Sequence, residues 1–300
     1  MSPFLWLKIN SRKAMSLSAP MFITTTKHNV QVLEIDNDYA HAAISLFGGH
    51  VMSFIPKSDQ RQRLWLSEQA IFDAQHAIRG GVPVCWPWFG DHQATRVDPN
   101  DTRFPAHGYV RKQQWKVVDC RDTPKGSVII LQPNSSQGDG FDGHAQLSLV
   151  IQVGPSLTMQ LLTENTGKQP FSFTCALHSY FAIDDIHRCE LKGLSGDHQD
   201  KARDWQVLPT PSPYTFTEET DRVHLSQPKQ LTIVQDNSST NISSRGHDSI
   251  VVWNPWSQNS AAMADMTETG FAQMLCVETA ITQGHIIEPG ESHTLEQIIT

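Results

Sequence analysis

Short runs rich in valine, isoleucine, threonine and phenylalanine recur along this chain, separated by clusters of glycine, proline, asparagine and aspartate. Such runs are typical of β-strands, because branched and aromatic side chains suit a pleated surface while the separating residues suit turns. Only residues 257–265 have a helical pattern, and that segment is short. The spacing predicts an all-β fold, a large antiparallel β-sandwich, with strands at residues 30–35, 41–47, 127–131, 145–153, 157–163, 171–181, 230–235, 249–253, 273–279 and 292–299.

Length and composition leave the number of domains open. The chain has 300 residues, of which 39% are hydrophobic and 18% are charged, as is ordinary for a packed globular protein. The proline-rich stretch 208–214 could separate two domains, but strand-like segments of similar character lie on both sides of it. We therefore predict one domain over residues 21–300, with a long surface loop at that stretch, and a poorly ordered extension over residues 1–20.

Charge and cysteine usage exclude several classes of function. The formal net charge of −8 argues against binding along a nucleic-acid backbone, which relies on a broad field of lysine and arginine. No run is long and apolar enough to span a bilayer, and the first residues reverse the order of a secretory signal. The five cysteines are scattered without a CxxC pair, so their spacing indicates neither a disulfide framework nor a zinc site. We predict a cytoplasmic protein without nucleic-acid or membrane partners.

One candidate catalytic residue lies near the end of the strand predicted over residues 171–181. Side chains alternate across a strand, so Thr174, Ala176 and His178 share one face. His178 opens the sequence His-Ser-Tyr-Phe, a cluster of hydrogen-bonding and aromatic groups that suits a sugar. A single histidine is more often structural than catalytic, so this candidate needs a partner.

A second candidate is the carboxylate of Glu278, at the end of the apolar run Met-Leu-Cys-Val-Glu-Thr. The same alternation places Glu278 on the strand face that carries Met274 and Cys276. Partly dehydrated surroundings raise the pKa of a carboxyl group, which improves it as a base near neutral pH. The alternative is that Glu278 points into water at the end of the strand.

Two arginines could hold an anion. Arg79 opens the segment Arg-Gly-Gly-Val-Pro, whose glycines let the backbone approach a ligand closely, and Arg111 follows His-Gly-Tyr-Val. A guanidinium can place two N–H donors on phosphate oxygens, although both arginines could equally be solvated surface residues. Several aromatic residues could form a wall for a sugar, with core packing as an equally good explanation for most of them: Trp86, Trp88, Phe89, Trp253 and Trp256.

These candidates lie within or beside seven sequence blocks that resemble the hexose-6-phosphate mutarotases, also called glucose-6-phosphate 1-epimerases, a branch of the aldose 1-epimerase superfamily. The resemblance runs from about residue 44 to the end of the chain. One block alone would be weak, whereas seven in the family's order are highly specific. The blocks are FGGHVMSF (47–54), LWLSEQAIFDAQHAIRGGVPVCWPWFG (64–90), HGYVRKQQW (107–115), LHSYF (177–181), GLSGDHQDK (193–201), VVWNPW (251–256) and MLCVETA (274–280).

The resemblance implies a β-supersandwich, of the galactose mutarotase-like type, whose strands enclose a cleft for a pyranose. Some members carry glutamine where Ala106 stands, so this chain lacks or replaces one polar contact to the ligand. The resemblance also implies a catalytic pair that requires no cofactor or metal, a residue that binds sugar hydroxyls, a residue that lines the pocket, and two residues that bind the phosphate: His178 with Glu278, then Asp200, His107, and Arg79 with Arg111.

Interconverting the α and β anomers requires a proton to leave the C1 hydroxyl while another reaches the ring oxygen, which opens the ring to an aldehyde. We predict that Glu278 is the base and that His178, as imidazolium, is the acid, the two lying on opposite sides of the ring. A nearby carboxylate would keep the imidazole protonated, and Asp184 and Asp185 follow closely in the chain.

The predicted partner is a small sugar phosphate, bound by a monomeric protein. Two other readings of the same residues remain open. One is an aldose 1-epimerase acting on unphosphorylated hexoses, and the other is a non-catalytic sugar-phosphate-binding protein.

Overall fold

A computed structural model describes residues 22–27 and 29–300 of the chain, so the extension predicted over residues 1–20 lies outside the described residues. Its two α-helices are α1 (Gln93–Val97) and α2 (Trp256–Ala262). Its strands are β1 (Phe22–Lys27), β2 (Val30–Asp36), β3 (Ala40–Ser45), β4 (His50–Pro56), β5 (Val84–Cys85), β6 (Trp115–Thr123), β7 (Gly126–Pro133), β8 (Ala145–Val153), β9 (Leu157–Asn165), β10 (Phe171–Leu177), β11 (Tyr180–Ala182), β12 (Glu190–Lys192), β13 (Asp197–Asp200), β14 (Gln206–Pro209), β15 (Thr220–His224), β16 (Gln230–Gln235), β17 (Ser238–Arg245), β18 (Ser249–Asn254), β19 (Met274–Ile287) and β20 (Ser292–Ile299).

The described strands form three antiparallel sheets. The first has the order β1-β2-β3-β4. The second has the order β14-β13-β15-β18-β19-β10-β5, with β11 also paired to β19. The third has the order β12-β16-β17-β20-β9-β8-β7-β6. The prediction of an all-β fold built from large antiparallel sheets is confirmed.

The three sheets bury apolar faces against one another. The largest hydrophobic cluster includes Ile44 of β3, Leu149 of β8 and Val277 of β19, each at most 1% exposed. Along β9 buried residues alternate with partly exposed ones, as expected where one face of a strand meets a core. Each fully buried leucine or isoleucine contributes about 2 kcal/mol. Because all three sheets share this cluster, we keep one domain over residues 21–300 as our proposal.

Most predicted strands lie where the sequence pattern puts them, but the single strand predicted over residues 171–181 is two strands. It is divided into β10 and β11, with His178 and Ser179 between them. The N–H of His178 donates to the carbonyl of Pro83, and the N–H of Ser179 donates to the carbonyl of Leu177. Because the N–H of Ser179 turns back on its own chain, the ladder with β19 is interrupted there, although the carbonyl of Ser179 still accepts from the N–H of Val277 at 3.2 Å.

The segments between strands are also close to prediction. The helix predicted over residues 257–265 is α2, which begins one residue earlier and ends sooner. The predicted surface loop at 208–214 overlaps the end of β14. Its last residue, Tyr214, is buried, and the hydroxyl of Tyr214 lies 3.1 Å from Nε2 of His224. None of the helices that the structure describes has the length and apolar character needed to cross a membrane.

Candidate active site

A cavity of about 780 Å³ lies over one face of the second sheet. This volume is within the range of small-molecule sites. Gln199 pairs with Val223 and Glu278 pairs with Val251, so these lining residues lie side by side across the strands. Because side chains alternate along each strand, the residues between them face the other side of the sheet.

The strand register brings the two predicted catalytic residues together. Leu177 of β10 pairs with Thr279 of β19, and the same register continues into β11, so His178 lies opposite Glu278. Nδ1 of His178 is 3.4 Å from Oε1 of Glu278. The prediction that the two groups lie on opposite sides of a sugar ring is therefore wrong, because they are cross-strand neighbours on one wall.

Aromatic rings surround His178 in the cavity wall. Its imidazole stacks on Tyr180, with ring centroids 5.0 Å apart and ring planes at 8°. The rings of Trp253 and His107 lie 6.2 Å and 5.5 Å from it. Of the predicted aromatic wall, Phe89 and Trp253 line the cavity. The other three aromatic residues pack in or against the hydrophobic core instead: Trp86, Trp88 and Trp256.

Burial controls where the proton of this pair lies. Desolvation lowers the pKa of His178 well below its ordinary 6.5, and the nearby Arg111 and Arg79 lower it further. Desolvation raises the pKa of Glu278 well above its ordinary 4.5, and Asp221 adds to this effect. The neutral form is thus favoured, with the proton on the carboxyl group. The imidazolium with carboxylate is the less favoured of the two proton positions in this buried pair.

The two aspartates expected to assist His178 do not reach it. Asp185 accepts a hydrogen bond from Nδ1 of His187 at 2.8 Å, and neither Asp184 nor Asp185 lines the cavity. Within the described part of the chain, Nδ1 of His178 and Oε2 of Glu278 are both buried without a hydrogen-bond partner. Buried polar atoms of this kind indicate a place for a ligand.

Arg79 lines the cavity and has an acidic partner. Its Nε lies 3.1 Å from each carboxylate oxygen of Asp265, and its Nη1 donates to the hydroxyl of Tyr180 at 3.1 Å. Interactions with Tyr180 and Asp265 raise the pKa of Arg79 despite its burial. The loop that carries it is fixed by His50, whose Nε2 lies 2.7 Å from the carbonyl of Gly80.

Arg111 lines the same cavity without an acidic partner among the described residues. Its Nη2 donates to the carbonyl of Ala106 at 2.9 Å, and its Nε is buried without a hydrogen-bond partner in that part of the chain. A guanidinium with a buried, unpartnered N–H and no ion pair is well placed to receive an anion. The side chain of Ala106 does not line the cavity.

His107 lines the cavity as a neutral ring. Its φ of 63° lies in the left-handed region, and its Nδ1 accepts a hydrogen bond from the N–H of Gly90 at 3.2 Å. Desolvation lowers the pKa of His107 well below its ordinary value, and Arg111 lowers it further. Because Nδ1 is an acceptor, the single proton of the ring is on Nε2.

Asp200 does not line the cavity, contrary to the prediction that it binds sugar hydroxyls. It follows Gln199 in β13, which does line the cavity, so alternation turns Asp200 to the other face. There its carboxylate is 1% exposed and accepts a hydrogen bond from Nε of Arg222 at 3.3 Å. Its cross-strand pairing with Arg222 holds it on that face.

The acidic residue that the sequence analysis missed on this wall is Asp221 of β15. Its carboxylate lies 3.4 Å from Nζ of Lys201, and both residues line the cavity. Burial raises the pKa of Asp221. No motif marks Asp221 in the sequence, and the only usable signal is that it shares a strand face with Val223. Asp265, the partner of Arg79, was also missed, because it lies 186 residues from Arg79 in the chain.

Known proteins have sequences similar to most of this chain. The family described as Aldose 1-epimerase matches residues 31–300. A protein of Escherichia coli strain K12 named "Putative glucose-6-phosphate 1-epimerase" is 31% identical over 267 residues, which cover 87% of this chain and 87% of that protein. A protein of Cenchrus ciliaris with the same name is 32% identical over 270 residues, which cover 83% of this chain and 78% of the relative.

The fold is shared as well. A crystal structure from Salmonella typhimurium, described as that of "a putative mutarotase", superimposes with a TM-score of 0.85 at 26% identity and covers 96% of this chain and 95% of that chain. The resemblance inferred from seven sequence blocks and the supersandwich it implied are confirmed. The chain belongs to the aldose 1-epimerase family of isomerases.

Proposed function

We propose that this protein interconverts the α and β anomers of a hexose 6-phosphate by cofactor-independent proton transfer. Glucose 6-phosphate is the substrate with which we would test this proposal. The observation that carries the proposal is the 3.4 Å separation of His178 and Glu278 on the wall of a cavity that also holds Arg79 and Arg111. The names of the two curated relatives support the same substrate.

The adjacency of the two groups suits the chemistry. O1 and O5 of an aldopyranose are bonded to the same carbon, so the donor and acceptor for them need to be close neighbours. Glu278 takes the proton of the C1 hydroxyl while His178 gives a proton to O5. The C1–O5 bond breaks, the electrons of the O1–H bond form the aldehyde, and rotation about C1–C2 precedes closure by the reverse transfers.

One proton serves the whole cycle. The pair holds it either as imidazolium with carboxylate or as imidazole with carboxylic acid, and the two forms differ only in the position of that proton. Ring opening converts the first form into the second. Desolvation favours the neutral form, imidazole with carboxylic acid. Burial therefore stabilises the form of the pair that is present while the sugar is an open-chain aldehyde. Arg111 and Lys201 act in the opposite sense on Glu278 and stabilise its carboxylate.

We assign the phosphate to the arginine side of the cavity. A phosphate carries a charge of about −1.5 to −2 near neutral pH, and Arg111 has no carboxylate to compensate it within the described residues. Arg79 is already paired with Asp265, so it adds hydrogen bonds more than charge. Binding energy from the phosphate orients the reacting end of the sugar against His178 and Glu278.

Magnetisation exchange between the C1 protons of the two anomers tests the proposal. Glucose 6-phosphate is expected to exchange far above its spontaneous rate, with free glucose and galactose exchanging more slowly. Glu278→Gln keeps the side-chain volume and is expected to lower the rate about a hundred- to ten-thousandfold. Near-normal turnover in that variant, with a native circular dichroism spectrum, would remove Glu278 from the mechanism.

The same measurement separates the two rival functions. Equal acceleration for glucose and glucose 6-phosphate would indicate an aldose 1-epimerase for unphosphorylated sugars. Binding of glucose 6-phosphate in calorimetry without faster exchange would indicate a non-catalytic sugar-phosphate-binding protein. The spontaneous rate at each pH, measured without protein, is the control in both cases.

A further inference from the structure

Three potential metal ligands meet where His178 and Glu278 line the cavity and the fully buried Cys276 lies beside them. His178, Cys276 and Glu278 each offer one ligand atom, and these atoms all lie within 4.8 Å of one another. Cys276 precedes Glu278 by two residues on β19, so the two side chains share one strand face. His178 comes from the break between β10 and β11, directly across the register. The cluster joins residues about a hundred positions apart, so no sequence spacing could have indicated it.

We propose that this cluster binds a soft divalent cation of the Zn²⁺ class, and that the bound metal inhibits the enzyme. A tetrahedral zinc ion holds imidazole nitrogen and carboxylate oxygen at about 2.1 Å, so two such ligand atoms lie about 3.4 Å apart. Nδ1 of His178 and Oε1 of Glu278 are 3.4 Å apart. The sulfur of Cys276 lies up to 4.8 Å from the ligand atoms of His178 and Glu278. These separations need to shorten by about 1 Å for all three atoms to bind one zinc ion, since a zinc–sulfur bond is about 2.3 Å long.

A second observation supports a ligand at this point. His178 and Glu278 are buried, and within the described part of the chain Nδ1 of the first and Oε2 of the second have no hydrogen-bond partner. A metal would satisfy such atoms. Three protein ligands leave the fourth tetrahedral position for water or a sugar oxygen. Thiolate and imidazole ligands select zinc over magnesium, which prefers six oxygens.

The proton balance explains why the metal would inhibit. Zinc binding releases two protons to solvent, one from the thiol of Cys276 and one from the His178–Glu278 pair, and it places a cation where the shared proton was. The pair then has no proton to deliver to O5 and no free carboxylate to take one from O1. Metal and turnover therefore exclude each other. This inhibition rests on the proposed function, whereas metal binding itself does not.

Cobalt substitution tests binding without any turnover. We expect Co²⁺ added to the purified protein to give the intense near-ultraviolet band of a cobalt–thiolate bond together with the visible bands of a tetrahedral ion. Cys276→Ala should remove the thiolate band. Cys276→Ser, which keeps the volume of the side chain, should also remove it and guards against an effect of misfolding. Cys120→Ala is the matched control, because Cys120 is the partly exposed cysteine of the described residues.

The exchange assay supplies the second arm. Zn²⁺ is expected to inhibit anomer exchange reversibly, with recovery on adding a chelator, while Mg²⁺ at the same concentration has no effect. Cys276→Ala should leave the metal-free rate within about twofold and raise the inhibitory zinc concentration about tenfold or more. A cobalt spectrum without a thiolate band, or zinc inhibition that Cys276→Ala leaves unchanged, would overturn the proposal. A thiolate band in a protein without exchange activity would support the metal site and contradict the proposed function alone.

Discussion

At the scale of single residues, the side chains of His178 and Glu278 are only 10% and 2% exposed, and this burial sets the expected pH dependence. The lowered pKa of His178 means that a second proton is added to the pair only well below pH 6.5. The raised pKa of Glu278 means that the shared proton leaves only well above pH 4.5. The active, singly protonated pair is therefore retained between these two limits.

We accordingly predict a bell-shaped profile of kcat/KM, with an acid limit set by the lowered pKa of His178 and an alkaline limit set by the raised pKa of Glu278. With unshifted pKa values the singly protonated pair would be largely confined between pH 4.5 and 6.5. Exchange rates measured from pH 4 to 10, with the spontaneous rate subtracted, distinguish the two cases. A maximum near pH 5.5 with loss of activity above pH 7 would show that burial does not control this pair.

The unpaired guanidinium of Arg111 leads to a second prediction. Arg111→Ala removes a partly buried guanidinium that has no ion-pair partner within the described residues, so it should raise KM for glucose 6-phosphate at least about tenfold. The effect on free glucose should be much smaller. Arg96→Ala is the control, because Arg96 also lines the cavity but is exposed and bonds to backbone carbonyls. Equal losses for both sugars would remove Arg111 from phosphate binding.

The sequence predicted which residues belong to the site better than it predicted which way their side chains point. His178, Glu278, Arg79 and Arg111 all reach the cavity, since each lies in a sequence block with a distinctive composition. Asp200 does not, because one step of strand alternation separates the two faces of β13 and the sequence does not say which face meets the cavity. The lowering of the pKa of His178 was also not predicted, because burial depends on elements that are remote in the chain.

At the scale of elements, the loop that carries His107 depends on a glycine. Gly108 has a φ of 72°, and a Cβ at this position would lie 2.0 Å from the carbonyl oxygen of Trp86. Two effects therefore disfavour any side chain there, the left-handed backbone and a clash with a backbone atom that cannot move independently. The bridge between Gly108 and Trp86 ties this loop to the segment after β5.

We predict that Gly108→Ala lowers the melting temperature and weakens sugar-phosphate binding together. Gly290→Ala separates the two effects, because Gly290 has a φ of 79° with no atom within 4 Å of the added Cβ. Gly290→Ala should lower the free energy of unfolding by about 1–2 kcal/mol, the cost of a left-handed backbone for a residue with a Cβ. Gly108→Ala should lower it by clearly more. Equal losses of stability in thermal unfolding would show that the loop can shift away from Trp86.

Strand positions were predictable where turn residues bound a strand-like run, as in β8, β16 and β20, whose bounds match the predicted ones. The division between β10 and β11 was not, because it arises at Ser179, whose N–H donates to the carbonyl of Leu177 instead of to β19. The pairing of strands remote in the chain, such as that of β11 with β19, was also beyond sequence reasoning. Without the register, nothing in the sequence says that His178 lies opposite Glu278.

At the scale of the whole molecule, buried neutral histidines make stability depend on pH. Desolvation lowers the pKa of His50 from 6.5 to about 4. As the pH falls below 6.5 the unfolded chain takes up a proton at this residue while the folded chain does not until about pH 4. The contribution of His50 to the free energy of unfolding is therefore fully present above pH 6.5 and is lost as the pH falls toward 4.

His50→Gln tests this linkage while its amide keeps a donor for the carbonyl of Gly80. Between pH 7 and pH 5 the wild type should lose about 2 kcal/mol more stability than the variant in urea unfolding, since one pKa unit corresponds to about 1.4 kcal/mol. The variant should be less stable than the wild type at pH 7, where the wild-type contact is intact. Parallel losses in both proteins would show that His50 does not contribute to acid sensitivity.

The position of Glu278 in the second sheet has one more consequence. Glu278 lies in β19, which is bonded to β18 on one side and to β10 and β11 on the other, whereas α1 at the rim has no buried residue. Amides of the cavity floor should then exchange with deuterated solvent only when the whole sheet opens, and those of the rim should exchange through local fluctuations. Entry and departure of the sugar would be governed by the moving rim, above a floor that stays rigid throughout turnover.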